Sequence, residues 1–174
     1  MATNANTKIK NMLNLTFNSN QYTDHDVDFY DVTNLPDNTD GTTRGENETT
    51  FRIELNANTL PHKSKEYILA TVYHEILHAY LYSQYTRDGL GKFIMPDHHS
   101  TMADSYISLM TTALKTAFPN ISNPEAWALS WGGLEETPFY TTELTSDQRL
   151  EIESINKKHK KSEEGTVRLG TYCN

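Results

Sequence analysis

The stretch VYHEILHAYL, residues 72–81, places two histidines and a glutamate inside an apolar run. An isolated charge in an apolar segment is costly unless something pairs with it. Apolar side chains cover nearly the whole circumference of this segment, which indicates a buried helix. The segment predicts a helix that opens after Pro61 and Ser64 and runs to a glycine stop at Gly89. The apolar positions are Ile68, Leu69, Val72, Tyr73, Ile76, Leu77, Ala79, Tyr80 and Leu81.

The polar residues of this helix form the pattern His-Glu-x-x-His at His74, Glu75 and His78. Residues four apart lie on one face of a helix, so both imidazoles can reach one zinc ion. Glu75 is turned by about 100° around the axis, where its carboxylate can take a proton from water beside the metal. The alternative is structural: two neutral core histidines bonded to backbone, with Glu75 in a salt bridge.

A catalytic zinc usually has three protein ligands and one open position, so the pattern requires a third ligand. A second helix is predicted from residue 98 to residue 118, and on its wheel His99 heads an apolar stripe and points inward. His98 is turned away by about 100°, and for it a solvent-facing position is favoured over metal ligation, which stays the alternative. His99 is therefore the predicted third ligand. Its stripe contains Met102, Ala103, Tyr106, Met110, Ala113, Leu114 and Ala117.

Other polar residues receive weaker predictions. Glu135 or Glu136 could supply a carboxylate ligand, but solvated loop charges are the favoured interpretation. Tyr106 or Tyr140 could stabilise an oxyanion, although the chain has ten tyrosines and core packing is the simpler role. The remaining assignments are Asp97 as N-cap of the second helix, Asp104 on its polar face, and His25, His62 and His159 as exposed residues without a role.

The rest of the chain predicts an α+β fold, with a small N-terminal sheet packed on the motif helix and a mostly helical C-terminal half. Strands are predicted at residues 27–32 and 50–57, with a turn-rich connection over 34–48. The strand at 50–57 is either the edge of the sheet or an interior strand. Further elements are a short helix at 7–17, a loop or strand at 89–96, a helix capped by Asn123 with Pro124 in its first turn, a helix at 145–160 and a closing strand at 166–173.

Composition limits the class of protein. The chain has 174 residues, which suits one domain spanning residues 1–174. Its formal net charge of -8 argues against a nucleic acid partner. A single cysteine, Cys173, excludes an internal disulfide and a multi-cysteine zinc site. No signal-peptide core and no run of about 18 apolar residues is present, so we expect a soluble protein without membrane association.

The segments ATVYHEILHAYL, HSTMADSYI and EAWALSWGGLEET, in this order, resemble the small zincin metallopeptidase domains of bacterial polymorphic (Rhs-type) toxins and SprT-like proteins. The likeness covers roughly residues 50–140. It implies zinc ligation by His74, His78 and His99, with Glu75 as catalytic base. A toxin role would further imply export by a signal-independent route and a cognate inhibitor protein.

Motif and resemblance together predict a zinc metallopeptidase that hydrolyses peptide bonds. Enzymes of this kind hold an extended peptide along an edge strand beside the metal helix. Two alternatives remain open. One is a zinc amide hydrolase for a non-protein substrate such as cell-wall peptide, and the other is a catalytically silent binding protein. The sequence does not indicate the oligomeric state.

Overall fold

A computed structural model of the chain describes residues 26–47, 49–84, 97–160 and 167–173. Three strands come first in these ranges, followed by one turn of 3-10 helix and six α-helices. The predicted α+β class is confirmed. The helix predicted at 7–17, the loop or strand predicted at 89–96 and His25 lie outside the described residues. No described helix is both long enough and apolar enough to cross a membrane.

The sheet contains β1 (Asp26–Val32), β2 (Gly41–Gly45) and β3 (Thr50–Asn56), in the order β1-β3-β2. β3 is parallel to β1 and antiparallel to β2. The strand predicted at 50–57 is therefore interior, with both neighbours paired, which decides between the two alternatives. β2 lies inside the segment predicted to be turn-rich, and that prediction was wrong. Its Gly-Thr-Thr-Arg-Gly sequence lacks the apolar alternation that marks a half-buried strand.

Helix α1 (Lys65–Ser83) carries the His-Glu-x-x-His motif. Its N-cap is Ser64, whose hydroxyl accepts a hydrogen bond from the backbone N–H of Tyr67 at 3.1 Å. Pro61 lies in the 3-10 turn Leu60–His62 that leads into the helix. The predicted start is confirmed. The end is not, because α1 stops at Ser83, six residues before the glycine predicted to end it.

The helix predicted from 98 to 118 is divided into α2 (His98–Ser105) and α3 (Ile107–Ala117). The division falls at Tyr106, whose φ of -117° departs from the helical value of about -63°. Asp97 is the N-cap of α2, as predicted, and accepts a hydrogen bond from the backbone N–H of His99 at 3.1 Å. This cap fixes the first turn, in which His98 and His99 lie.

The C-terminal half adds α4 (Asn123–Ser130), α5 (Pro138–Thr142) and α6 (Ser146–Lys160). The N-cap of α4 is Ser122, in a capping box with Glu125, and not Asn123 as predicted. The helix predicted at 145–160 is confirmed as α6. The short helix α5 was not predicted, because five residues give too little periodicity to detect.

The closing strand predicted at 166–173 is absent from residues 167–173, so that prediction was wrong. This segment instead lies against the start of α1. The backbone N–H of Lys65 donates to the carbonyl oxygen of Thr171 at 2.7 Å, and the carboxylate of Glu66 accepts from the backbone N–H and the hydroxyl of Thr171 at 2.7 and 2.9 Å. The polar groups of Thr171 in this segment are therefore bonded to the N-terminus of a helix and not to a neighbouring strand.

Two apolar clusters pack on α1 and hold it in the middle of the fold. Leu77 and Leu81 belong to the larger cluster, which also contains residues of α2, α3, α4 and α6. Tyr67 and Ala70 belong to the smaller one, with residues of α3 and α4. Because α1 lies between both clusters, the position of the motif along the helix is fixed from several sides.

Candidate metal centre

Three imidazoles from two helices converge at one point. His74 and His78 project from the same face of α1, with their Nε2 atoms 3.1 Å apart. Nε2 of His99, in the first turn of α2, lies 3.2 Å from Nε2 of His78. Ligand atoms of all three histidines lie within 4.8 Å of one another. The predicted convergence is therefore present in the structure, with His74 buried and His78 and His99 half-buried.

Two of the spacings, from Nε2 of His78 to Nε2 of His74 and of His99, fit a tetrahedral cation. Zinc binds imidazole nitrogen at about 2.0–2.1 Å, which separates two ligand nitrogens by about 3.3 Å in tetrahedral geometry. The observed 3.1 and 3.2 Å are close to that separation. The residues present therefore fit a three-histidine metal site.

Burial keeps two of these imidazoles uncharged. It lowers the pKa of His74 to about 3, with the neighbouring His99 lowering it further. It lowers the pKa of His78 to about 2, with smaller contributions from His74, His99 and His98. Neutral imidazole is the form that binds metal. The nitrogens of His74 and His78 that face one another are therefore in the protonation state that can bind a shared cation.

Glu75 is buried beside this cluster, with 5% of its surface exposed. The hydroxyl of Thr43, in β2, lies 2.7 Å from Oε2 of Glu75 and 3.0 Å from its backbone carbonyl oxygen. Burial raises the pKa of Glu75 to about 7, and the hydrogen bond from Thr43 opposes that rise. A carboxyl group with a pKa near neutrality is suited to accept and return protons.

β2 approaches the motif helix closely because of Gly41. A Cβ atom at Gly41 would lie 2.9 Å from Cγ of Glu75, a distance that real Cβ contacts essentially never show. Residues two apart in a strand share a face, so Gly41 and Thr43 both face α1. Neither residue was identified from the sequence. The only available signal was the Gly-x-Thr spacing, and this spacing does not indicate that β2 packs on α1.

His98 is buried next to His78, which the sequence did not predict. It was predicted to face solvent, but it is 8% exposed. Its Nδ1 lies 2.9 Å from Nδ1 of His78, and the ring of Tyr82 packs edge-on against it with centroids 4.6 Å apart. The helical-wheel prediction assumed that the second helix has one buried face. The first turn of α2 also lies against α1, so a second side of this turn is buried. The side of α2 turned away from the apolar stripe is covered by Tyr82.

The loop after α4 closes another side of the site. Gly133 has a positive φ of 82°, and a Cβ atom there would lie 3.1 Å from Cε1 of His74. Glu135 is half-buried and lines the same cavity, whereas Glu136 is exposed. Within the described residues, neither carboxylate belongs to the group of three histidines that could hold a metal ion.

The two tyrosines considered for an oxyanion role lie away from the histidines. Tyr140 is buried, and its hydroxyl lies 3.4 Å from the carbonyl oxygen of Arg149. Tyr106 packs edge-on against Tyr80, with ring centroids 6.2 Å apart. Neither lines the cavity at the histidines. Core packing accounts for both.

Of the other described residues predicted to lie at the surface, two are exposed and one is buried. Asp104 is exposed on α2, as predicted, and so is His62. The prediction for His159 was wrong, because its side chain is fully buried and its Nδ1 lies 2.7 Å from the hydroxyl oxygen of Ser64. His159 lies near the C-terminal end of α6, on the face that packs toward the start of α1. The sequence alone did not show that these two helix ends meet.

A cavity of about 710 Å³ joins these features. The histidines and Glu75 lie in its wall together with β2, the residues that precede β2, and the Gly-Gly loop after α4. Tyr82 also lines it, and this residue was missed although it follows His78 by four positions on the same face of α1. The site is thus open to a ligand along β2.

Comparison of the chain with protein-family models, with curated proteins and with solved structures finds no match. The resemblance to zincin metallopeptidases stays a prediction. A function must therefore be argued from the geometry of the site.

Proposed function

We propose that this protein is a zinc-dependent metallopeptidase in which His74, His78 and His99 bind the metal and Glu75 is the general base. The observation that carries the proposal is the convergence of three imidazole nitrogens at 3.1 and 3.2 Å beside a buried carboxylate. Structural core histidines would be expected to bond to backbone groups, but these nitrogens face one another. That arrangement favours a metal over the structural alternative.

Each residue has a defined part in the reaction. His74, His78 and His99 would hold the zinc ion, which would supply Lewis acidity that makes water more acidic and polarises a carbonyl group. Glu75 accepts the proton of the attacking water and returns it to the leaving amine. Thr43 holds one oxygen of that carboxylate at 2.7 Å, which leaves the other oxygen for the water.

The position of β2 favours a peptide as substrate. β2 is an edge of the sheet, since among the described residues only β3 pairs with it, and it contacts Glu75 directly through Thr43. An extended peptide can add to such an edge through backbone hydrogen bonds. A peptide bound there runs past the base and the histidines. The edge that serves this role is β2, and not the strand at 50–57 considered from the sequence.

The variant Glu75→Gln tests the proposal. Glutamine has the same shape and can still accept a hydrogen bond from Thr43, but it cannot take a proton. We expect the variant to bind one zinc ion per chain as wild type does, and to lose peptide cleavage by about a hundredfold or more. Zinc content is measured by elemental analysis, and cleavage by mass spectrometry of new termini in a library of unstructured peptides.

The alternatives predict other results. Unchanged cleavage by Glu75→Gln would reject Glu75 as base. If zinc-loaded wild type cleaves no member of the peptide library but cleaves cell-wall peptides, the amide hydrolase alternative replaces the peptidase. If it binds zinc and cleaves neither, the silent binding protein is favoured. Failure of wild type to bind zinc at all would remove the proposed function.

A further inference from the structure

A fourth imidazole lies directly behind the three that converge. Nδ1 of His98 is 2.9 Å from Nδ1 of His78, on the side of the His78 ring opposite to Nε2. The two rings are inclined by only 31°, with centroids 5.1 Å apart, so each nitrogen lies near the plane of the other ring. This is the geometry of a hydrogen bond between two imidazoles.

We propose that His98 is a positioning residue that accepts a hydrogen bond from Nδ1–H of His78 and so holds the His78 lone pair on Nε2, toward the metal. The inference rests on the metal site of the proposed function and deepens it. A neutral imidazole carries one ring proton, and the partner of one nitrogen decides which nitrogen has it. His98 is that partner for His78.

The opposite tautomer of His78 is incompatible with metal binding at Nε2. If His78 carried its proton on Nε2, that proton would point among the Nε2 atoms of His74 and His99, which lie 3.1 and 3.2 Å away. Nε2 would then have no lone pair for a cation. Protonation at Nδ1 keeps that lone pair, because the proton then lies on the hydrogen bond to His98.

The surroundings of His98 hold its ring in place. Only 8% of its surface is exposed, and the Tyr82 ring packs on it at an interplanar angle of 68°. Tyr82 follows His78 by one turn of α1, so the aromatic ring and the ligand share one rigid element. His98 itself is set by the first turn of α2, whose cap is Asp97. The acceptor is therefore fixed relative to its donor by two helices.

His78 differs in this respect from the other ligand of α1. Nδ1 of His74 is buried and has no hydrogen-bond partner in the described part of the chain. Partners that orient metal-bound histidines typically change metal affinity by about 10- to 100-fold when they are removed. We therefore expect the support from His98 to act on His78 in particular.

Two substitutions separate the hydrogen bond from packing. Asparagine places an amide oxygen near the position of Nδ1, so His98→Asn keeps an acceptor, whereas His98→Leu keeps the apolar contact with Tyr82 and has none. By competition with a chromophoric chelator, we expect zinc affinity to fall by about 10- to 100-fold in His98→Leu and by less than about threefold in His98→Asn. Exposed His62, replaced by leucine, is the matched control and should bind zinc as wild type does.

A spectroscopic measurement on the unmodified chain gives an independent test. Long-range ¹H–¹⁵N spectra of the metal-free protein report the tautomer of each histidine, and His78 is expected to be protonated on Nδ1. In His98→Leu this preference should be lost. Because these spectra need no metal and no substrate, they test the inference even if the proposed peptidase activity is absent.

Three results would overturn the inference. The first is a His78 protonated on Nε2 in the wild-type chain. The second is wild-type zinc affinity in His98→Leu. The third is an equal loss of affinity in His98→Asn and His98→Leu, because packing rather than an acceptor would then be responsible. If His98→Leu does not fold, as judged by its thermal melt, the wild-type tautomer alone decides.

Discussion

The hydroxyl of Thr43 donates a hydrogen bond of 2.7 Å to the carboxylate of Glu75. Its hydroxyl stabilises the ionised form of that carboxylate, because a donated hydrogen bond favours the charged state. The base must be ionised to accept a proton. Thr43 therefore helps to orient the Glu75 carboxylate, and it lowers the pKa that burial raises.

We predict that Thr43→Val raises the pKa of Glu75 further above its value of about 7. Valine has the shape of threonine but lacks the hydroxyl. Without the hydrogen bond from Thr43, the rise in the Glu75 pKa that burial causes is no longer opposed. The ¹³C shift of the Glu75 carboxyl group, followed against pH in the metal-free protein, measures this pKa directly. In the zinc-loaded protein, the acid limb of the activity profile should move to higher pH in the same direction.

Thr43→Ser is the matched control for this substitution. Serine keeps the hydroxyl, so the Glu75 pKa should stay close to the wild-type value. A Thr43→Val protein whose Glu75 titrates at or below the wild-type pH would show that this hydrogen bond does not act on the ionised carboxylate.

Single residues differ in how well the sequence predicts them. His74, His78 and His99 are brought together as expected, since i, i+4 spacing and an apolar stripe are local properties of helices. His98 was misplaced and Thr43 was missed. Their positions depend on the contact between two helices and on a strand packed across α1, and neither follows from periodicity along the chain.

At the scale of elements, a glycine allows the loop that joins α4 to α5 to pack against the histidine cluster. Gly133 has a φ of 82°, a conformation that costs other residues about 1–2 kcal/mol. The same position leaves space for the imidazole of His74, because an added Cβ would lie 3.1 Å from its Cε1. Backbone conformation and ligand position are coupled at this residue.

We predict that Gly133→Ala lowers the unfolding free energy by about 1–2 kcal/mol and weakens zinc binding about tenfold, because the new methyl group displaces the His74 ring. Thermal melting of the metal-free protein gives the first quantity and chelator competition the second. Gly132→Ala is the control, since its Cβ would meet neighbours only at 3.4 Å and its φ is not positive. Equal effects of both substitutions would contradict a specific contact with His74.

Elements with strong periodicity were predictable, and elements defined by their partners were not. α1 and β3 were found because apolar residues repeat at helical or strand spacing. β2 was missed because it has no apolar alternation and is stabilised by pairing with β3. The segment at 167–173 has strand-like composition, but its backbone bonds to the N-terminal turn of α1, and composition does not show which partner a segment finds.

At the scale of the whole molecule, α1 connects the histidine cluster to the C-terminal part of the chain. Its first turn binds Thr171 through Glu66, and its N-cap Ser64 bonds to the buried His159 of α6. Its middle carries the motif between two apolar clusters. The buried ionisable groups of the site are consequently fixed by packing from most of the fold, and their ionisation must affect the stability of the whole protein.

The last prediction concerns this coupling in the metal-free protein. Burial raises the pKa of Glu75 from 4.5 to about 7, so the folded state holds its proton in a pH range where the unfolded chain has lost it. The stability that this proton contributes is fully present below pH 4.5 and is lost as the pH rises through 7. Glu75→Gln removes the titration. The melting temperature of Glu75→Gln should therefore exceed that of wild type by several degrees at pH 8.5, which corresponds to about 1–3 kcal/mol. The difference should shrink toward zero near pH 4. Measured in the presence of a chelator, a difference that is constant with pH, or that grows on acidification, would show that Glu75 is not held uncharged by burial.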